Sequence, residues 1–128
     1  MVITGSPVDL ELAEEIVAFS ETRPLNLAGR TSLAVLGALL KKAEFAVTTD
    51  TGPMHLAAAL GTPVAALFGP TAPWRTGPFG EGHEVVRLEL DCSPCFQRQC
   101  PETRCLLELP VSKAQEAVEK ILVRRQNP

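Results

Sequence analysis

The sequence lacks any apolar run near the roughly eighteen residues that a membrane-crossing helix requires. Its first residues also lack the basic-then-apolar order of a secretory leader. These two absences exclude a helical span within the residues given and lead to the expectation of a cytoplasmic chain. Basic clusters are scarce as well. Only Lys41-Lys42 and Arg124-Arg125 are adjacent, and 12 Lys and Arg stand against 15 Asp and Glu for a net charge of -3. That balance excludes the basic footprint of a nucleic-acid-binding surface. No internal repeat or low-complexity tract occurs. What is present is ordinary for a globular domain: 128 residues, 45% hydrophobic and 21% charged, enough for one core and too few for two comfortable ones.

Short apolar segments alternate with amphipathic ones. "MVIT" enters directly as a β-branched strand with no polar lead-in, as expected of a chain cut from a longer one, the other reading being a genuine amino-terminal strand. After the turn cluster "GSPVD", the segment "LELAEEIVAFS" places Leu12, Ile16 and Phe19 at helical spacing. "PLNLAG" reads as a short strand. "RTSLAVLGALLKKA" reads as a helix capped by Thr31 or Ser32, with Lys41 and Lys42 favourable at its carboxyl end. "EFAVT" and "GTPVAALFG" are buried-strand patterns flanking the helix "PMHLAAAL", which Pro53 can open and Gly61 can close. Residues 69–82, "GPTAPWRTGPFGEG", are too rich in Pro and Gly for regular structure, and the segment is long enough to be a functional loop. "HEVVRLEL" returns to a strand. "SKAQEAVEKILVRR" closes as a helix, with Ser112 and Gln115 in a capping-box pattern and Val118, Ile121 and Leu122 on one face. Strand and helix alternate throughout, so the expected class is α/β, a Rossmann-like parallel sheet with flanking helices.

The junction "TTDTGPMHLAAAL", residues 48–60, concentrates polar groups at the carboxyl end of a strand, where ligands bind in open α/β sheets. A helix amino terminus exposes unpaired N–H groups and a partial positive charge, which suits phosphate. Gly52 permits close backbone approach, Thr51 offers a hydroxyl and an N–H, and His55 stands within the first turn. Asp50, an acceptor only when ionised, suits loop N–H groups or sugar hydroxyls rather than phosphate. The competing reading is local: Asp50 and Thr51 cap the helix and His55 is a solvated surface residue.

Read at length, "DTGPMHLAAALGTPVAALFGPTAPWRTGPFG", residues 50–80, resembles the signature of the heptosyltransferases that build the inner core of bacterial lipopolysaccharide. These belong to glycosyltransferase family 9 and have the two-Rossmann-domain GT-B architecture. "GSPVDLELAEEI" and "CSPCFQRQCP" resemble the same family in the same order. The resemblance implies inverting transfer of heptose from ADP-L-glycero-D-manno-heptose to the growing core, with no cofactor beyond that donor. It implies that residues 1–128 are a single ADP-sugar-binding domain from the carboxyl-terminal half, lacking its first strand and the acceptor domain, with a central gap in the sheet.

The same resemblance implies that Thr51, Gly52 and His55 lie near the diphosphate and Asp50 near the heptose. Thr31 aligns near the nucleoside. Gly5 and Ser6, in the loop after the first strand, fall on the ligand-facing edge if the strands are parallel. No residue here matches the family's catalytic carboxylate or the basic residue on the donor phosphates, so no catalytic residue is assigned and the chain alone is expected to be inactive. The acceptor, a lipopolysaccharide core, would be met through the absent domain, with the full enzyme peripheral to the cytoplasmic face of the inner membrane. Trp74 and Arg75 place their loop over the donor site or the interdomain cleft, or else pack locally.

Cys92, Cys95, Cys100 and Cys105 are spaced C-x2-C-x4-C-x4-C. Four thiolates can form a tetrahedral zinc site, while free or oxidised thiols are the commoner state in a reducing compartment. Two other functions stay open on the residues: a different GT-B-like sugar-nucleotide enzyme such as an epimerase, or a non-catalytic nucleotide-sugar or zinc-stabilised binding module.

Overall fold

The computed structural model describes residues 1–127. The chain divides into two compact units, Met1–Leu39 and Leu40–Pro128. Strand pairing is parallel throughout and forms two sheets, one of two strands and one of three. The alternation seen in the sequence is therefore kept, whereas the first two strands are shorter than expected.

In the first unit, β1 (Val2–Ile3) pairs in parallel with β2 (Leu25–Asn26). A 3-10 turn over Pro7–Asp9 leads into α1 (Leu10–Phe19). The helix forms as its periodicity predicts, but its apolar stripe is not buried: Leu12, Ile16 and Phe19 are all exposed, and only Ala13 is covered. The helix α2 (Leu33–Lys42) opens on Ser32, whose hydroxyl accepts from the Val35 N–H at 3.2 Å. Ser32, not Thr31, is thus the cap.

The second unit carries the core. The strands β3 (Ala46–Thr49), β4 (Val64–Phe68) and β5 (Glu84–Arg87) pair in that order. In the central strand β4, period-two alternation sends side chains to two covered faces. Val64, Ala66 and Phe68 pack with Met54 and Ala57 of α3 (Gly52–Ala59). Ala65 faces the other way, onto Val86 and onto Ala117 and Ile121 of α6 (Val111–Gln126). Val118 joins that face, as its spacing predicts. Gly61 closes α3 with φ +75°, and the hydroxyl of the buried Thr62 donates to the Leu40 carbonyl at 2.7 Å.

Three details differ from the sequence reading. The helix α6 starts at Val111 with Pro110 in the N-cap position, so Ser112 lies inside the first turn and makes no cap. Proline at the boundary has no N–H to be satisfied, and its carbonyl accepts from the Lys113 N–H at 3.1 Å. Short helices also form in the segment read as irregular, α4 (Pro73–Thr76), and within the cysteine segment, α5 (Arg104–Leu107). Proline at the first position of α4 supplies a pre-set helical φ, so a Pro-rich loop can hold one turn.

Candidate functional site

The carboxyl end of β3 runs through Asp50 and Thr51 into α3, and this junction gathers Asp50, Thr51, Gly52 and His55. Thr51 occupies the N-cap position in extended conformation, yet no side chain caps α3. Its hydroxyl turns back toward the strand, 3.3 Å from the Thr49 carbonyl and 3.4 Å from the Thr48 hydroxyl. Asp50 is engaged elsewhere. Its Oδ2 accepts from the Thr76 hydroxyl of α4 at 2.7 Å, and its Oδ1 lies 3.9 Å from His55 Nε2. Local capping is therefore not the use of these residues, and the amino end of α3 keeps its N–H groups clear of side-chain partners.

Gly52 is the first residue of α3. A β-carbon built there meets nothing within 4 Å, and its φ lies outside the left-handed region. Neither packing nor backbone conformation requires glycine at this place, and the space over its α-carbon is open. Asp50 has 13% of its side chain exposed and His55 has 52%, so the carboxylate is held while the imidazole faces outward.

The loop of residues 69–82 lies against this junction through α4. Two further contacts fix it: the Arg87 guanidinium stacks on the Trp74 ring at 5.5 Å, and Arg75 stands over the Phe96 ring at 5.0 Å. Thr76 is a site residue that the sequence reading missed, because a Thr in a Pro/Gly-rich stretch gives no periodic or motif signal. Arg87, at the carboxyl end of β5, donates through Nη2 to the Ser93 carbonyl at 3.2 Å, and its buried Nε lies 3.6 Å from Glu89 Oε1. The second histidine is structural. His83 Nδ1 accepts from the Val64 N–H at 3.2 Å and Nε2 lies 3.1 Å from the Phe79 carbonyl, which fixes the Nε2–H tautomer and seals the start of β4.

The remaining expected site residues belong to the first unit. Ser6 offers both its donors to Asp9, the N–H at 2.7 Å and the hydroxyl at 2.6 Å, and these bonds hold the Asp9 carboxyl below its ordinary range. Gly5 leaves room for that turn, since a β-carbon there would stand 2.9 Å from Asp9 Cβ. Thr31 precedes α2 and is partly exposed.

All four cysteines are free. Cys105 on α5 is buried, and burial pushes its thiol above the ordinary value. Its sulfur sits beside Gly69, where any larger residue would collide with Leu106 and Cys105. Among the described residues, no three His, Cys, Asp or Glu side chains come together as a metal-ligand set. No helix there is long and apolar enough to cross a membrane.

The model of glycosyltransferase family 9 (heptosyltransferase) matches residues 1–106. The chain belongs to glycosyltransferase family 9. Among curated family members, it is 30% identical over 128 residues to lipooligosaccharide heptosyltransferase 2 of Campylobacter jejuni, covering 95% of this chain and 40% of that protein. Against lipopolysaccharide heptosyltransferase 2 of Escherichia coli it is 40% identical over 92 residues, 69% of this chain and 26% of that one. Two solved structures agree in fold. The family 9 glycosyl transferase from Veillonella parvula superimposes with a TM-score of 0.83 at 28% identity, covering 96% of this chain and 36% of that one. ADP-heptose lps heptosyltransferase II of Escherichia coli gives 0.79 at 30% identity, covering 98% and 37%. The chain thus spans 40% or less of the length of these relatives. The α/β fold with parallel strands and flanking helices is the family's, and the resemblance read from residues 50–80 is the correct one.

Proposed function

We propose that this chain is the donor-binding part of a heptosyltransferase, holding ADP-L-glycero-D-manno-heptose for inverting transfer to the inner core of lipopolysaccharide. The observation that carries the reading is the amino end of α3, free of side-chain caps and opened by a glycine whose α-carbon faces empty space. There the helix dipole and the N–H groups of Thr51 and Gly52 receive the diphosphate. His55, one turn in and half-exposed, adds a donor to the same anion. Asp50 faces the sugar, where a carboxylate can accept hydroxyl protons. No cofactor beyond the nucleotide-sugar is part of this reading. The catalytic base and the acceptor site are supplied from outside these residues, and the enzyme works in the cytoplasm at the inner face of the membrane where the core is assembled.

Membership of a family whose curated members are named heptosyltransferases favours this over an epimerase or a binding module. Calorimetric titration of the chain with ADP tests it. The expected result is saturable binding that His55→Ala weakens by about tenfold, the cost of one hydrogen bond to a charged group. A folded chain that ignores ADP, or one whose binding is indifferent to His55→Ala, counts against the assignment.

A further inference from the structure

We propose that Thr76 is a positioning residue for the donor sugar, fixing the Asp50 carboxylate in the orientation that receives the sugar's hydroxyls; this inference rests on the donor-binding reading above. The Thr76 hydroxyl has one proton and two acceptors within reach. Asp50 Oδ2 lies at 2.7 Å and the carbonyl of Ala72, the N-cap residue of α4, at 3.3 Å. The shorter bond to the charged acceptor takes the proton. Threonines within helices commonly bond the carbonyl four residues earlier and do nothing else, but here that carbonyl is the more distant partner.

The consequence is geometric. One carboxylate oxygen of Asp50 is occupied, and the other is turned toward the His55 side of the junction. Asp50 sits on a bend between β3 and α3, and no helical ladder fixes its side chain. Only Thr76 donates a hydrogen bond to it among the described residues. A carboxylate so held meets a ligand hydroxyl without first losing rotamer freedom, which is the physical content of pre-organisation.

The helix that carries Thr76 has contacts besides this bond. Trp74 is stacked on Arg87, Arg75 on Phe96, and the Gly77 N–H closes the turn onto the Pro73 carbonyl at 2.7 Å. Thr76→Val, which keeps the shape and removes the hydroxyl, takes away the bond and leaves those contacts intact.

The test compares ADP-heptose with ADP, titrated calorimetrically into the wild-type chain, Thr76→Val and Thr76→Ser. We expect Thr76→Val to weaken ADP-heptose by about tenfold, as for a lost hydrogen bond to a carboxylate, and ADP by less than about twofold. Thr76→Ser restores the wild-type value. In an Asp50→Asn background, Thr76→Val has little further effect, since the two residues act through one another. Equal losses for ADP and ADP-heptose would show a general structural role and overturn the proposal, as would wild-type affinity for ADP-heptose in Thr76→Val. A wild-type chain that binds neither ligand overturns the donor-binding reading and this inference with it. That failure is visible in the wild type, whereas failure of the inference alone is visible only in the variant.

Discussion

Gly52→Ala is expected to leave the chain as stable as before and to cost it ADP. A β-carbon at residue 52 meets no atom within 4 Å, and the backbone there is open to any L-residue. Alanine restricts the unfolded chain more than glycine does, so stability should hold or rise by about 0.4–1 kcal/mol. The added methyl stands at the amino end of α3, over the N–H groups that, in the proposed donor site, the diphosphate must reach at hydrogen-bond distance. The affinity for ADP should fall on the order of tenfold or more. Denaturant unfolding and calorimetry on the same preparation read the two effects separately. If Gly52→Ala bound ADP like the wild type, the open α-carbon would not be the path of the phosphate.

Phe68→Ala carries the largest effect on stability. Phe68 is fully buried in the cluster with Met54, Ala57, Val64 and Ala66, at the last position of the central strand. Truncating it removes the transfer free energy of the ring and leaves a cavity that β4, paired on both edges, is poorly able to close. The expected loss is about 3–5 kcal/mol, a large part of what holds a domain of this size. Phe68→Leu, which refills much of the volume, should lose far less. Urea unfolding measures both. Met54 packs in the same cluster and lies two residues beyond Gly52, so the cavity also loosens the helix end proposed to receive the diphosphate. A Phe68→Ala chain that unfolds like the wild type would show that the cluster around α3 is not the core.

The second unit was the legible part of the sequence, because its signals are local. A continuous apolar run bounded by turn residues marks β4, Pro53 and Gly61 bracket α3, and the string from Asp50 to Gly80 carries the family's mark. The first unit was legible only as a pattern. The helix α1 forms where its spacing says, yet Leu12, Ile16 and Phe19 are exposed, since periodicity reveals which face is apolar and not whether anything covers it. Thr76 could not be read at all. Its role depends on a hydrogen bond across 26 residues of chain, and a short helix in a Pro-rich loop gives no pattern from which such a contact can be inferred. The same limit applies to His83, whose bond to Val64 spans 19 residues.

The most direct test of the central claim is a map of amide resonances by heteronuclear NMR as ADP is added to the isotopically labelled chain. Diphosphate binding at the amino end of α3 predicts saturable shifts centred on Thr51, Gly52 and His55, with smaller ones at Thr76 and its neighbours in α4. Saturable shifts confined to other parts of the chain, leaving residues 50–55 unmoved, would contradict it.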